Sequence, residues 1–443
     1  MTVTEQVSAP RRDAVPPLVP PGDDAGRRAP PASPTLARVL AGELCSGCGL
    51  CAGVSGGGIE LETVAPGYTR PRQIAPIDAA AEATIAAACP GAKVAPWVGP
   101  QAAGRPWGDA PHVDPYWGPY HSCETGHATD PEVRFVGSSG GVASALLIAA
   151  IESGTVDAAL HLIADPDRPT RNVLHWSTTR AQVLAGAGSR YAASSPLAQI
   201  DAALASGRRF AFVGKPCDVS ALRQLATRDP RVDALIPLKI AFFCGGIPSH
   251  AGSDRIVRAM GLDPAGVARF RYRGHGWPGT ARADMADGTH GEMSYADSWG
   301  GHLSKEVQFR CKICPDAIGG VADVAVADAW YGDDAGYPSF DEQEGRSLVM
   351  ARTPAGVAAV AAARDGGRIV TAPLPIGDII RMQPSQANRK RLIAPRLAAC
   401  AALFRPRPDV SGLKVQDAFR LGRMGYAFKQ FVGTARRIIM GRR

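Results

Sequence analysis

From about residue 130 the chain alternates between short apolar runs and stretches with helical spacing. Val142–Ser153 reads as a helix and Val156–Ile163 as a strand. Ala198–Ala205 predicts a helix, Arg209–Val213 a strand, Val219–Ala226 a helix and Leu235–Phe243 a strand. This alternation predicts an α/β layer built on a largely parallel sheet. Further on, Arg269–Arg273 reads as a strand and Asp287-Gly288 as a hairpin turn. Val321–Ala327 and Ser347–Ala351 add two strands to a second α/β half. Gly412–Arg443 has no turn signal except glycines and predicts a basic helical tail. At the other end, residues 1–34 contain Pro16-Pro17, Pro20-Pro21 and Pro30-Pro31 among arginines and alanines, which predicts a disordered tail. No internal repeat is visible.

At 443 residues the chain is long enough for two or three domains. Hydrophobic residues make up 45% and charged ones 20%, so there is ample material for a core. The formal charge is +8 and is uneven, with arginines gathered near both ends. A basic excess suits nucleic acid, anionic lipid or an acidic protein partner. No basic motif interleaved with aromatics supports nucleic acid, so no nucleic-acid partner is expected. No run of about 18 apolar residues predicts a membrane span. The start, Met-Thr-Val-Thr-Glu-Gln, lacks the regions of a secretory signal. A cytoplasmic location follows as the expectation. In that compartment the ten cysteines stay reduced, and clustered ones read as metal ligands rather than disulfides.

Three cysteines stand in Cys45-Ser-Gly-Cys48-Gly-Leu-Cys51, and Cys89 is followed at once by Pro90. This is the ligand pattern of a bacterial ferredoxin-type 4Fe-4S cluster. Two-residue gaps let successive thiolates reach three irons from one tight loop, and Gly47 and Gly49 keep side chains out of it. A zinc site would more often pair two Cys-x-x-Cys elements or include histidine. Four more cysteines lie in the α/β region. Cys217 opens a helix after the strand ending Phe-Val-Gly214-Lys215-Pro216, and a helix N-terminus favours a thiolate. Cys244 ends the next predicted strand. Adjacent parallel strands would bring both thiols to one sheet edge. Cys311-Lys-Ile-Cys314-Pro could close a second set, the alternative being a structural Cys244 beside a redox dithiol. Cys123 and Cys400 have no partner context.

Ser138-Ser139-Gly140-Gly141-Val142 precedes an alanine-rich helix, where backbone N–H groups can meet a phosphate or simply form an N-cap. Gly188-Ser189-Arg190-Tyr191 and Gly214-Lys215-Pro216 are two further loops at predicted sheet edges. Together the three predict a nucleotide-bearing cofactor. Arg271-Tyr-Arg273-Gly274-His275-Gly276-Trp277-Pro278-Gly279 is rich in functional types. His275 could donate a proton near neutral pH, or the segment could be a glycine-rich turn with Trp277 packed as a lid.

These pieces, with Phe-Phe-Cys-Gly-Gly and the sequel Ala322-Asp323-Val-Ala-Val-Ala-Asp328-Ala-Trp330, resemble the beta-subunit family of coenzyme F420 hydrogenase and formate dehydrogenase. They run in order over roughly residues 40–400. Gly-Trp-Pro-Gly and the second cysteine set look closer to the branch that reduces chlorophyll intermediates. A glycine-rich and polar insert before Cys89 and the two end tails depart from the family core.

The resemblance implies a ferredoxin-like 4Fe-4S domain over 35–100, an N-terminal α/β part holding FAD over 101–235, and a C-terminal part with a second cluster and the substrate face over 236–405. A basic helical tail follows over 406–443. Cys45, Cys48, Cys51 and Cys89 would hold one cluster, and Cys217, Cys244, Cys311 and Cys314 the other. Ser139, Gly140, Gly141, Ser189, Arg190, Tyr191, Gly214, Lys215 and Pro216 would line FAD. Lys215 and His275 are the candidate catalytic residues. The implied activity is an iron–sulfur flavoprotein oxidoreductase. It would take electrons from a carrier such as ferredoxin or a deazaflavin coenzyme and reduce an organic substrate. The alternative is an electron-transfer subunit of a larger complex, and oligomer formation is left open. The tail suggests peripheral membrane contact: Phe419, Met424, Phe428 and Phe431 recur at helical spacing among lysines and arginines. The plainer alternative is a helix packed on the protein's own core.

Overall fold

The computed structural model describes residues 33–332, 338–422 and 424–441. The expected disordered tail up to residue 32, and Arg423, Arg442 and Arg443 of the basic tail, lie outside the described residues.

Eight strands form one sheet: β1 (Ser122–Ala128), β2 (Ala158–Ala164), β3 (Asn172–Ser177), β4 (Phe210–Gly214), β5 (Leu238–Phe242), β6 (Val324–Asp328), β7 (Ser347–Ala351) and β8 (Ile369–Pro373). Their spatial order is β8-β1-β7-β6-β5-β4-β2-β3. Only the middle is parallel, where β6, β5, β4 and β2 pair in turn. The flanks are antiparallel, with β1 between β7 and β8 on one side and β3 against β2 on the other. The expectation of a largely parallel sheet is therefore corrected to a mixed one. The missed strands explain why. β1 reads Ser-Cys-Glu-Thr-Gly-His-Ala and β3 reads Asn-Val-Leu-His-Trp-Ser, both only partly buried. Flanking antiparallel strands tolerate that polarity, while central parallel strands do not.

The central strands are apolar on both faces because both faces are covered. Leu160, Phe210, Phe212, Ala325 and Met350 project into one core. Their neighbours Ala159, Ala211, Ile240, Val324 and Val349 project into the other. The alternation follows the two-residue period of a strand. Phe210 and Phe212 are fully buried, and each such ring contributes roughly 1.5–3 kcal/mol. The helices that bear on the site are α1 (Ala79–Ala88), α2 (Val142–Glu152), α3 (Pro216–Leu225), α4 (Pro384–Arg391), α5 (Ile393–Ala402), α6 (Val415–Arg420) and α7 (Met424–Ile439). α2 is apolar nearly all round because it lies in the second core.

The cysteine-bearing segment adds a hairpin, Ile59–Val64 with Tyr68–Gln73, and α1. Val39, Leu44, Cys48 and Leu50 share the first core with the sheet. The tail is built in as well, since Leu413, Val415 and Ala418 are buried. Asp287-Gly288 is the expected turn, joining Ala281–Met285 to His290–Met293 in a separate three-stranded sheet.

At the N-terminal ends of β5 and β6 a buried carboxylate pins the sheet. Asp323 accepts from Arg223 (2.6 Å), Thr353 Oγ1 (2.6 Å) and the Lys239 amide (2.7 Å). Burial works against its charge, but Arg223 and Lys239 outweigh burial and hold its pKa below the usual value. A depressed folded pKa gives stability that is whole above the ordinary carboxylate range and is lost as pH falls through the folded pKa. Asp323→Ala removes the nearest carboxylate from buried Arg223, leaving Asp233 at 3.6 Å and the Val321 carbonyl, and should cost about 3 kcal/mol in urea unfolding. It should also flatten the acid side of the stability profile. A loss under about 1 kcal/mol would show that the pin contributes little.

Candidate functional site

The loop Cys45–Cys51 turns through two left-handed glycines, Gly47 (φ 75°) and Gly49 (φ 85°). A Cβ on Gly49 would sit 2.9 Å from the Ala198 nitrogen, so only glycine fits there. The segment around residue 197 holds the loop: the Leu197 amide donates to the Cys48 carbonyl (2.9 Å) and Ser195 Oγ to the Gly47 carbonyl (2.8 Å). Cys89 caps the end of α1. The four sulfurs converge. Cys48 feels the charges of Cys89 and Cys51, and Cys51 those of Cys45 and Cys89. Burial first, and this mutual repulsion second, push the Cys89 thiol up to about 11 and raise Cys48 and Cys51 well above the usual thiol value.

The second quartet converges in the same way at the C-terminal ends of the parallel strands. β4 leads into Lys215 and α3, which carries Cys217 in its first turn, and β5 leads into Cys244. Cys217 feels Cys244 and Cys314, and Cys244 feels Cys311 and Cys314. Burial pushes Cys244 up to about 12. Cys311 Sγ accepts from the Ile247 amide (3.4 Å). Among the described residues, no three His, Cys, Asp or Glu side chains form a group that could hold a single metal ion. A cubane cluster makes a different demand, since each thiolate binds a different iron.

Two buried cations stand between the quartets. Arg310 precedes Cys311 and donates to the carbonyl of Pro90, beside Cys89, at 2.8 Å. Its charge lowers the pKa of Cys45, Cys89 and Cys311. Burial opposes that charge, but Cys314, Cys217 and Cys311 keep the guanidinium protonated. Lys215 pairs with Asp218 at 2.8 Å, with both side chains buried. Burial again opposes its charge, and Asp218, Cys217 and Cys48 overcome it, so its pKa is raised.

A cavity of about 900 Å³ opens beside the second quartet. Its wall includes Ser138, Ser139, Gly141, Gly188–Tyr191, Gly214, Lys215, Cys244 and Cys311. This is the edge where α/β sheets hold ligands. One end is aromatic, formed by Tyr191, Tyr295, Trp299, Trp330 and Phe340. Behind it, Arg273 holds Asp328 through two bonds (2.9 and 3.0 Å) and lies 4.4 Å from the Tyr295 ring centre. A second hollow of about 690 Å³, between Val98, Leu397 and Pro408–Asp417, has no cysteine on its wall.

The structure thus brings both quartets together, and places Lys215 and most of the loop residues on one cavity. Four predicted residues stand differently. His275 does not line the cavity. It adopts φ 58°, and its ring rests edge-on against Phe135, while burial, Arg271 and Arg282 lower its pKa. Gly140 faces away, with its amide donating to Ser347 Oγ (2.9 Å). A Cβ there would meet the Gly126 carbonyl at 2.7 Å, so Gly140 serves close packing. Arg190 borders the cavity, but its guanidinium donates to Asn172 and to the carbonyls of Phe270, Pro169 and Arg171. Pro216 starts α3 and is not on the wall. Trp277 is buried, donates to Asp328 (2.7 Å) and stacks on Trp330, so it is packed inside and does not act as a lid. Cys123 and Cys400 are core residues.

Sequence reasoning missed Arg310 and the residues of α4. Arg389 donates to the carbonyls of Cys244 (2.8 Å) and Gly245 (2.6 Å), Gln386 to Cys244 (3.1 Å), and Lys390 to Pro315 (2.7 Å). α4 therefore clamps the second quartet from outside. Its only signal was a polar helix too rich in cations to be an ordinary surface.

Two family models match the chain. The coenzyme F420 hydrogenase/dehydrogenase beta subunit N-terminal model covers residues 123–201, and the C-terminal model covers 207–376. The second quartet lies inside the matched span and the first outside it. Among curated proteins, the coenzyme F420 hydrogenase subunit beta of Methanosarcina barkeri is 26% identical over 255 residues, covering 55% of this chain and 78% of that one. The F420-dependent formate dehydrogenase 1 subunit beta of Methanococcus maripaludis is 28% identical over 232 residues, covering 50% and 57%. A chain of the F420-reducing NiFe hydrogenase complex of Methanosarcina barkeri aligns with a TM-score of 0.48 at 22% identity, covering 63% of this chain and 95% of that one.

Lys215→Met strands Asp218 as an unpaired buried carboxylate and should destabilise the protein by about 3–5 kcal/mol. Adding Asp218→Asn should recover most of that loss in the same urea titration, because the amide oxygen still accepts the Lys215 amide proton. A double variant as weak as the single one would show that the pair's charge balance is not what Lys215 supplies.

Proposed function

The chain belongs to the coenzyme F420 hydrogenase/dehydrogenase beta-subunit family, and from that premise we propose that it is an electron-transferring oxidoreductase. In this reading Cys45, Cys48, Cys51 and Cys89 hold one 4Fe-4S cluster and Cys217, Cys244, Cys311 and Cys314 a second, with FAD in the cavity beside the second. The observation that carries it is the gathering of eight cysteines from five separated segments into two quartets, one opening on a ligand-sized cavity.

The residues suit those groups. Four buried thiols in mutual repulsion need a positively charged centre to become thiolates together, and an iron core supplies one. Ser138 Oγ is buried on the cavity wall without a hydrogen-bond partner, which fits a donor waiting for a ligand oxygen. Lys215 Nζ is buried there too and pairs with Asp218 without a well-aligned hydrogen bond. When bound, clusters supply one-electron steps and a flavin exchanges them for two-electron chemistry. The chain's own part is to hold charge in place. Arg310 offsets the negative charge of both quartets, α4 fixes the Cys244 loop, and the Arg273–Asp328 pair orders the aromatic end where a flat organic substrate would lie.

Electrons would come from a carrier such as reduced ferredoxin or a deazaflavin coenzyme. A second reading, an electron-transfer subunit of a larger complex, is favoured by the names of the relatives, which are subunits of hydrogenase and formate dehydrogenase. Turnover of the isolated chain with carrier and candidate acceptors separates the two.

Anaerobically purified protein should contain about eight irons, and Cys48→Ala and Cys311→Ala should each remove about half. FAD held non-covalently in the cavity should be released on heating. Ser138→Asp, which sets a carboxylate against the phosphates, should lower flavin content about tenfold while leaving iron unchanged. Stoichiometric zinc without iron would overturn the cluster assignment, and undiminished flavin in Ser138→Asp would overturn the flavin site.

A further inference from the structure

Helix α7 has an inner face that the core accounts for and an outer face that none of the described residues covers. On the inner side Ala427, Thr434 and Ile438 are buried, and Gln430 accepts from Arg396 of α5 at 2.8 Å. At about 100° per residue, Phe428, Val432 and Ile439 fall in an outer strip roughly 40° wide. They are 69%, 46% and 72% exposed. Phe419 and Phe431 are only partly exposed, so this strip differs from the apolar side expected from spacing. Arg436 and Lys429 follow along one edge of the strip, both exposed, and Met440 lies beyond them. The helix contains no Asp or Glu, Gln430 and Thr434 turn inward or sideways, and the exposed Tyr426 lies on another side of the helix from the strip. α7 also lies outside the residues matched by the family models.

Single exposed apolar residues are ordinary on any surface. A row of large ones with cations along its edge is not, and its chemistry narrows the partner. A protein partner is recognised partly through directional hydrogen bonds, and this strip offers none. An anionic bilayer asks only for apolar groups that enter the acyl boundary and long cations that reach the phosphates. None of the described helices is long and apolar enough to cross a membrane, so contact would be with the surface.

We propose that the outer face of α7 docks on an anionic bilayer surface, with Phe428, Val432 and Ile439 inserted and Lys429 and Arg436 against lipid phosphates. Tyr426 on the same helix forms part of the cavity wall. Tyr426 is turned more than about 100° from the strip, so docking sets the cavity behind α7, about one helix diameter from the bilayer surface, and suits an apolar or lipid-linked organic substrate. That last step rests on the oxidoreductase reading, whereas the docking does not.

The test is sedimentation of the full chain with vesicles. At low salt it should pellet with phosphatidylglycerol vesicles and stay in the supernatant with phosphatidylcholine vesicles. Phe428→Ser with Ile439→Ser alters only exposed positions and should weaken binding about tenfold or more. Lys429→Glu with Arg436→Glu should weaken it comparably. Iron and flavin content of these variants should equal the parent's, so that failure of docking and failure of the redox reading are told apart. A full chain that remains in solution with phosphatidylglycerol overturns the proposal. So does undiminished binding of the serine variant, which would mean simple attraction by the protein's net charge. A dimer in lipid-free solution that the serine variant dissolves would assign the strip to a second copy and overturn it too.

Discussion

Charge balance around eight buried sulfurs is the constraint on which the rest of the site depends. Burial opposes ionisation of Cys45, Cys48, Cys51, Cys89, Cys217, Cys244 and Cys311, and each quartet is placed near a cation that has itself been taken out of water. An isolated guanidinium in such a place would cost several kcal/mol. Arg310 is tolerated because sulfurs of both quartets surround it and the Pro90 carbonyl takes one of its donors. The same residue is therefore a support for two sites at once, and neither quartet can be altered without changing the field at the other.

The sheet makes this arrangement possible. Four parallel strands deliver their C-terminal ends to one edge, and the loops leaving them carry Lys215, Cys217, Cys244 and Asp328. At the opposite ends Asp323 ties β5 and β6 to α3 and to the start of the helix Pro354–Asp365 through Arg223, Lys239 and Thr353. One edge of the sheet is thus tied by a buried ion pair, while the other keeps Ser138 Oγ without a partner on the cavity wall.

The central strands were legible in the sequence because burial on both faces writes continuous apolar runs such as Phe210–Val213. β1 and β3 were not, because a flanking strand may carry Glu124, His127 or His175 without penalty. The cysteine spacing and the strand ends were legible as patterns, and they are what the two-cluster proposal starts from. His275 and Arg190 misled for one reason: functional residue types near glycines look alike whether they face a cavity or hold a loop. Arg190 spends its guanidinium on carbonyls of its own fold, which no local pattern reveals. Arg310 was hidden for the opposite reason. Its importance comes from Pro90, more than 200 residues away, and only the folded chain places them together.

The position of β1 has a consequence for biosynthesis. This strand lies between β7 and β8, so its two hydrogen-bonding partners leave the ribosome roughly 220 residues after it does. At 5–20 residues per second the nascent chain waits about ten to forty seconds with an unpaired strand. During that interval the cavity has no complete wall, since Ser139 and Gly140 find their partners on Arg346 and Ser347. Maturation of the site is thereby tied to completion of nearly the whole polypeptide, and truncated products of translation cannot assemble it.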